Sequence, residues 1–266
     1  MSTIPDVNVT GYQDVNGNAG FASNTLGTGV SDLWRTAPVM AAMCDIGAFH
    51  QFLDDFYEVA DTTATDLSRY ATVADGAGAL TQLDAAGGVG VITSGATDND
   101  EIYISSMSES FLFAANKPLW FEARIIPVEV ATNKLNLIIG LSDTVGANTL
   151  QDNGAGPAAS YDGAVFFKVD GGTTWSFETS NAGTQVTTNS LGTATSGTAV
   201  RIGFIFDPND GTTGKITPYV NGVAVATAHS ITLSGLEEMH ILFGIKAGSA
   251  AAETSKVDYI RVLAVR

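Results

Sequence analysis

Short segments in which apolar and polar residues alternate dominate the chain from about residue 52 onwards. Phe121, Ala123 and Ile125 share one face of a predicted strand. Glu122 and Arg124 lie on its other face. The other clear strands have the inward sets Leu135/Leu137/Ile139/Leu141, Val165/Phe167/Val169, Trp175/Phe177, Val200/Ile202/Phe204/Phe206 and Met239/Ile241/Phe243/Ile245, and weaker candidates lie at 57–59, 70–73, 79–83, 89–92 and 101–105. No useful length of chain has the helical period, so the pattern predicts an all-β protein.

Turn residues separate these strands. Asn221-Gly222 is a two-residue hairpin signal, because both residues readily take the positive φ that a type I′ turn requires. Asp-Gly pairs at residues 75, 162, 170 and 210 mark further turns. About a dozen short strands without strand–helix alternation predict two packed antiparallel sheets.

The first fifty residues do not follow this pattern. Residues 1–30 are rich in Gly, Asn, Thr and Ser, with too little apolar surface to offset the entropy of ordering them alone. We therefore expect an extended arm that lies along a surface of its own domain or of a neighbour. Ser31 or Asp32 is expected to cap a short helical turn that Pro38 limits. The predicted organisation is an arm with this turn over 1–50 and a jelly-roll domain over 51–266.

The last strand carries a family resemblance. Residues 256–265 are mostly apolar on both faces, with Val257, Tyr259 and Leu263 on one and Ile260, Val262 and Ala264 on the other, which suits a covered central strand. This closing segment resembles that of concanavalin A-like lectin/glucanase jelly rolls, including laminin-G-like modules. The opening Asp54-Asp55-Phe56 and the hairpin at 217–223 resemble the same family. The resemblance covers about residues 52–266 and implies a two-sheet antiparallel sandwich in which Asp54-Asp55-Phe56 pairs beside the closing strand.

A second resemblance concerns three short segments of the sequence. The segments 53–56, 95–101 and 121–124 resemble jelly-roll proteins encoded among the virion genes of tailed bacteriophages. That resemblance implies a structural role in a virus particle. The fold itself hosts lectins, glycanases and structural modules, so it does not fix an activity.

Charge narrows the range of partners. Twelve Lys and Arg against 28 Asp and Glu leave a net charge of −16, which argues against nucleic acid because phosphate binding depends on cations. The first cation is Arg35, so the arm is not a genome-binding arm. No apolar run is long enough for a membrane span, and no signal-peptide pattern is present, so synthesis in the host cytoplasm is expected. The single Cys44 lies in an apolar stretch and is predicted to be buried.

No catalytic constellation is visible. Retaining β-glucanases of this fold carry two Glu in a Glu-x-Asp-x-x-Glu strand, and this chain lacks that motif. The nearest acidic groups are Asp54-Asp55-x-x-Glu58 and residues 98–101; adjacent Asp54 and Asp55 point to opposite faces of an extended segment. We predict no catalytic residue, no cofactor and no enzyme activity.

Three further features of the sequence could mark a site. The loop Asp98-Asn99-Asp100-Glu101 offers oxygens to calcium, but a solvated acidic turn is favoured and no metal is predicted. Of the three histidines, His50, His229 and His240, the last is expected to be an ordinary half-exposed side chain, since it lies on the face of its strand opposite Ile241 and Phe243. The glycine-rich 87–90 is too short for a nucleotide loop.

Sugar binding stays open. The candidates for an aromatic platform are Trp120, Trp175, Tyr103, Tyr161 and Tyr219. Core or interface packing is the alternative for each of them. Trp120 shares the outward face of its strand with Glu122 and Arg124, which predicts a contact surface.

These observations favour a non-enzymatic virion structural protein. We expect a capsid decoration or cement protein on the outside of a phage head, bound through its arm to the major capsid protein and forming homo-oligomers, with a trimer as the first expectation. The alternative is a carbohydrate-binding or receptor-binding virion component, and a glycanase without the usual motif is a third hypothesis. No nucleic acid or membrane partner is expected. A major shell protein is not predicted, because no long spine helix is visible.

Overall fold

The protein is described by a computed structural model over residues 31–57 and 69–266. The predicted arm segment 1–30 and most of the strand candidate at 57–59 lie outside these residues. Two short helices are α1 (Asp32–Arg35) and α2 (Val39–Cys44), and a 3₁₀ helix spans Asp152–Gly154. The strands of the described residues are β1 (Phe49–Asp54), β2 (Tyr70–Ala74), β3 (Ala79–Leu83), β4 (Val89–Thr93), β5 (Glu101–Ser106), β6 (Leu119–Val128), β7 (Leu135–Ser142), β8 (Gly163–Lys168), β9 (Ser176–Asn181), β10 (Thr184–Thr188), β11 (Val200–Pro208), β12 (Thr213–Val220), β13 (Val223–Ala224), β14 (His229–Thr232), β15 (His240–Ala247) and β16 (Thr254–Val265).

These strands form two antiparallel sheets packed face to face. The nine-stranded sheet has the order β13-β12-β11-β6-β16-β4-β3, with β1 paired to β16 and β14 paired to β12. The seven-stranded sheet has the order β10-β9-β8-β7-β15-β5-β2. The two-sheet sandwich predicted from the alternating pattern is confirmed. The hairpin at Asn221-Gly222 is confirmed as well, since both residues have positive φ and Val220 pairs with Val223.

The closing strand β16 organises the nine-stranded sheet. One edge pairs with β6 over almost its whole length, and the other edge pairs first with β4 and then with β1. Of the segment Asp54-Asp55-Phe56 that was predicted to pair beside the closing strand, only Asp54 does so, opposite Ile260, because β1 lies earlier in the chain and ends at Asp54. Strand β1 begins at Phe49, so it runs across the predicted boundary between residues 50 and 51.

A β-bulge corrects the predicted faces of β16. The pairing register shifts between Val257 and Tyr259, which places an extra residue in the strand. Val257 therefore joins Ile260 and Val262 in the core, instead of sharing a face with Leu263 as the simple alternation predicted.

The main core lies between the two sheets. Its centre is aromatic: Phe121 stacks on Phe204 with ring centroids 5.0 Å apart, and Phe177 packs against Phe166 at 4.8 Å. Burying such a side chain is worth roughly 1.5–3 kcal/mol each, so this cluster provides much of the driving force for folding. The inward sets predicted for β6, β7, β9, β11 and β15 all lie in this core.

The inward set predicted for β8 was wrong. Ala164 and Phe166 face the main core, whereas Val165 and Phe167 lie on the outer face of the seven-stranded sheet. Both faces of β8 are buried, because the segment 143–162 between β7 and β8 folds over the outer face. A period of two separates the faces of such a strand but does not show which one is the inner face.

Candidate functional site

The outer face of the seven-stranded sheet is closed by the protein's own chain. Leu150 and Tyr161 of the segment 143–162 pack against Tyr103, Ile138 and Leu242 of the sheet in a buried cluster. Two of the predicted sugar-platform residues, Tyr103 and Tyr161, are thus covered on this face. This face offers none of the predicted aromatic rings to a sugar.

A buried lysine fixes one end of this closing segment. Lys246 is 1% exposed, and its ammonium lies 2.9 Å from Glu101 Oε2 and 2.5 Å from Asp152 Oδ1. It also donates to Leu150 O at 2.9 Å and to Asn148 Oδ1 at 2.7 Å. A buried charge is tolerated only when it is paired and hydrogen-bonded, and these four contacts meet that requirement. The cation therefore ties the segment to the sheet.

The acidic loop at 98–101 uses its oxygens internally. Asp100 accepts a hydrogen bond from Thr97 N at 2.9 Å, and Glu101 accepts from Asn148 N and Tyr103 OH at 2.9 Å each. Burial, together with the negative charge of Glu101, raises the pKa of Tyr103. In the part of the chain that the structure describes, no group of three or more His, Cys, Asp or Glu could hold a metal ion.

An open acidic cleft lies above this loop. It has a volume of about 580 Å³ and is lined by polar residues that include Asp75, Asp98, Asn99, Asn148 and Asp152. Amide and carboxylate oxygens of this kind can hydrogen-bond to hydroxyl groups of a ligand. The cleft contains no aromatic ring among its lining residues.

One carboxyl on the closed face has a perturbed pKa. Glu178 is buried, which raises its pKa, and its oxygens accept hydrogen bonds from Tyr161 OH at 3.2 Å and Thr187 Oγ1 at 2.6 Å. A perturbed carboxyl in an open cleft would be a candidate acid catalyst. Here both oxygens already bind hydroxyls of the same chain, so Glu178 helps to hold the segment 143–162 in place.

The three histidines behave as ordinary structural side chains. His229 lies between the sheets, where its ring nitrogens contact Thr179 Oγ1 at 3.1 Å and Thr188 Oγ1 at 2.8 Å. His240 is half-buried, as predicted, with Nδ1 2.7 Å from Ser106 O. The ring of His50 meets Phe111 edge-on.

The prediction for Cys44 was wrong. The side chain is exposed, because α2 presents the apolar stretch around it to solvent on one side. Met43 is also exposed, at 66%, while Ala42 is buried. An apolar stretch in a short helix therefore did not identify a buried segment.

Helix α1 covers one end of the outer face of the nine-stranded sheet. Leu33 and Trp34 are buried against Trp120 and Leu263, and Trp120 Nε1 donates to Thr36 Oγ1 at 3.4 Å. Trp120 points outward from its strand as predicted, but it is only 4% exposed and contacts the protein's own helix. Of the other platform candidates, Trp175 lies in the main core and Tyr219 is half-buried beside α1.

The rest of this outer face carries charged residues. Three neighbouring strands, β11, β6 and β16, present a group that we call the arginine face: Glu122, Arg124, Arg201, Tyr259 and Arg261. Arg201 pairs directly opposite Arg124, and Arg124 opposite Tyr259. In the next row, Glu122 lies between Gly203 and Arg261.

Glu122 is the buried centre of the arginine face. It is 5% exposed, and its Oε1 accepts a hydrogen bond from Tyr259 OH at 2.7 Å. Its Oε2 is buried without a hydrogen-bond partner among the described residues. Burial and the charge of Glu122 raise the pKa of Tyr259, so its hydroxyl remains a donor.

Comparisons with known proteins concern the fold. No protein-family model and no curated protein matches the chain. An endo-1,3-β-glucanase from Streptomyces sioyaensis is similar with a TM-score of 0.56 and 15% identity, over 82% of this chain and 97% of that one. Peanut lectin, solved with a nine-residue peptide, is similar with a TM-score of 0.53 and 13% identity, over 81% of this chain and 97% of the lectin.

A protein of unknown function from Shewanella oneidensis is similar to the same extent, with a TM-score of 0.54 and 15% identity over 82% of this chain and 87% of that one. The fold is the concanavalin A-like jelly roll of lectins and glucanases. At these identities the likeness extends to the architecture alone, so function rests on the residues of this chain.

Sequence reasoning missed the arginine face as a unit. It placed Glu122 and Arg124 on an outward face, but Arg201 and Arg261 come from strands far away in sequence. Only the pairing registers of β11 and β16 with β6 bring them together. The sequence of one strand shows which of its residues face outward. It does not show which residues of the neighbouring strands lie beside them.

Proposed function

We propose that this protein is a non-enzymatic structural protein of a virion, a decoration or cement protein bound to the outside of a phage head through residues 1–30. The proposal that the protein belongs to a phage particle rests on the resemblance of three short sequence segments to virion proteins of tailed bacteriophages. The proposed absence of enzyme activity is supported by the closed outer face of the seven-stranded sheet and by the lack of the Glu-x-Asp-x-x-Glu strand motif in the sequence. In glycosidases two carboxyl groups flank the scissile bond.

One observation carries the proposed use of the N-terminal segment. Helix α1 fixes the chain to the outer face of the nine-stranded sheet, where Asp32 N donates to Gly222 O at 2.9 Å and Leu33 is fully buried. The thirty preceding residues thus join the domain at a firmly held point beside the hairpin at Asn221-Gly222. A contact made by those residues would be transmitted to the folded domain.

Binding across neighbouring shell subunits would stabilise the shell by mass action and by the simultaneous use of two contacts. We propose the major capsid protein as the partner and a homo-oligomer, with a trimer as the first candidate, as the bound form. Light scattering on the purified chain tests the oligomer separately from particle binding.

Deletion of residues 1–30 tests the proposal. The truncated protein should fold, because Leu33, Trp34 and every strand described here are retained, but it should no longer co-sediment with purified particles. Near-ultraviolet circular dichroism checks the fold. A variant in which residues 1–30 are replaced by a Gly/Ser segment of equal length controls for length. Normal occupancy of the truncated protein on particles would disprove the proposed role of the segment.

A carbohydrate-binding role is the second candidate, favoured by the lectin-like architecture and the acidic cleft. Its polar lining fits a neutral sugar held by hydroxyl contacts rather than by stacking. A glycan array tests it. Binding should weaken in Asn99→Ala but not in Asn189→Ala. Asn189 is the control because it follows β10, at the edge of the seven-stranded sheet opposite to β2 and the cleft. An array without signal would leave the virion role as the surviving proposal.

A further inference from the structure

We infer that the arginine face is a docking surface for a protein partner that presents carboxylates. The inference goes beyond the proposed role of residues 1–30 and uses different residues. It rests on the register, the ion pairs, the exposure and the charge of this face.

The register places like charges side by side. Arg201 and Arg124 are direct cross-strand partners, and Arg261 follows one row away across β6. Like charges directly opposite each other in an antiparallel pair are destabilising. Buried Glu122 in the next row offsets part of this repulsion, and a carboxylate that binds from outside would be attracted to the positive charge that remains.

Within the described residues, the three guanidinium groups differ in their ion pairs. Arg124 forms an ion pair with Asp258. Among residues 31–57 and 69–266, no carboxylate lies within 4.0 Å of the guanidinium nitrogens of Arg201 or Arg261. Arg201 donates to Asn221 O at 3.3 Å, and Arg261 stacks over Trp34 at 4.3 Å.

Guanidinium groups in this state retain donors for a ligand. Each guanidinium has five N–H donors in a planar fork that fits a carboxylate with two parallel hydrogen bonds. The contact of the Arg261 guanidinium with the Trp34 ring holds the group at this face. Because Arg201 and Arg261 are half-buried, their side chains lose less conformational entropy when a partner binds.

The surroundings of the face favour a protein over a glycan. Leu53 is 60% exposed and pairs directly with Arg261 in the sheet, so an apolar side chain adjoins the arginines. Arg, Tyr and apolar residues together are typical of protein interfaces. Neither ring of this face is offered for stacking on a pyranose, because Arg261 covers Trp34 and the Tyr259 hydroxyl is held by Glu122.

Charge identifies the kind of partner. The chain as a whole carries −16, yet within the described residues the carboxylates placed among the three arginines of this face are those of Glu122 and Asp258. The face is thus locally positive on an acidic protein. Repulsion by the rest of the surface is screened beyond a Debye length of about 8–10 Å, while the arginines act at contact distance. A partner with carboxylates spaced among apolar residues fits both the arginines and Leu53.

A peptide titration tests the inference on the full-length chain. The probe is a short capped peptide in which Glu and Leu alternate, and its matched control has Gln in place of Glu. With ¹⁵N labelling, we expect the side-chain Nε–H signals of Arg201 and Arg261 to shift with the Glu peptide and not with the Gln peptide. The double variant Arg201→Gln/Arg261→Gln should bind at least about tenfold more weakly.

The control variant Lys117→Gln/Lys215→Gln carries the same change of charge at two exposed residues and should bind as the wild type does. Thermal melting of both variants checks that they fold. Three outcomes would overturn the inference: no shift with the Glu peptide, an equal loss in the control variant, or tighter binding of trigalacturonate than of the peptide. Particle binding through residues 1–30 would be unaffected by any of these results.

Discussion

Lys246 illustrates how one side chain closes a surface that the fold leaves open. Its ammonium joins Glu101 on β5 to Asp152 and to Leu150 O in the segment 143–162. The sequence gives no hint of this role, because a lysine in an alternating strand is normally assigned to solvent. It is buried only because a distant loop folds over its face of the sheet.

Replacing Lys246 with Met should therefore be costly. The substitution leaves Glu101 buried without its cation, and breaking a buried pair by removing one partner typically costs about 3–5 kcal/mol. Urea denaturation measures the loss in free energy of unfolding. Lys256→Met is the matched control, because Lys256 is half-buried and forms no ion pair within the described part of the chain. Equal losses in the two variants would contradict the structural role of Lys246.

The same limit applies to Trp120. Alternation within β6 correctly placed this ring on the outer face, but it could not show that α1 covers it. The residues responsible, Leu33 and Trp34, lie more than eighty positions earlier in the chain. The local sequence shows on which face of a strand a residue lies, whereas the element that covers this residue is determined by tertiary packing.

At the scale of elements, helix α1 is a cover held by two side chains. Trp34→Ala should remove the contacts with Trp120, Leu263 and Arg261 and destabilise the protein by about 3–5 kcal/mol, the range for large aromatic truncations. Fluorescence should also show a larger solvent-exposed Trp component as Trp120 is uncovered. Met43→Ala, at a 66% exposed position in α2, should change neither property. A loss below about 1 kcal/mol in Trp34→Ala would mean that α1 packs only loosely.

Strand β14 is linked to the opposite sheet through His229. Burial lowers the pKa of this histidine, so the folded state disfavours its charged form. The neutral ring therefore contributes stability above the unfolded pKa of 6.5, and this contribution is lost as the pH falls through the lower folded pKa. Because Thr179 and Thr188 belong to the opposite sheet, we expect protonation of His229 to weaken the packing between the two sheets.

His229→Gln should reduce the fall in free energy of unfolding between about pH 7.5 and pH 5, because the titrating group is gone. Urea denaturation at several pH values gives the slope. Thr188→Val removes one hydroxyl contact and keeps the imidazole, so it should retain the slope of the wild type. An unchanged slope in His229→Gln would show that other groups govern the acid sensitivity.

Most strands were predictable from the sequence, and their faces were predictable where one face is covered by the opposite sheet. The exceptions share a cause. In β8 both faces are buried, and in β16 a bulge at Asp258 changes the parity of the residues before it. The short strands β10 and β14 lack a run of apolar residues: β14 packs through Ile231 and His229, and Thr188 of β10 contacts the His229 ring.

For the whole molecule, charge is the dominant property that composition reveals. A net charge of −16 creates repulsion within the folded state, and salt screens it. Raising NaCl from about 10 mM to 300 mM should therefore raise the melting temperature, which differential scanning fluorimetry measures. A neutral osmolyte at equal osmolality is the control. A falling melting temperature would mean that exposed ion pairs outweigh the repulsion.

No helix in the ranges described is long and apolar enough to span a membrane.

The central position of β16 has a consequence for biosynthesis. Strands β1, β4 and β6 leave the ribosome well before residues 254–265, yet all three pair with those residues. Until then the nascent chain exposes unpaired strand edges and the apolar face of an incomplete sheet. Such pairings between distant segments form slowly and leave intermediates prone to aggregation. Stalling translation before residue 254 should therefore yield a chaperone-bound, protease-sensitive chain, whereas emergence of residues 254–265 allows the nine-stranded sheet to assemble.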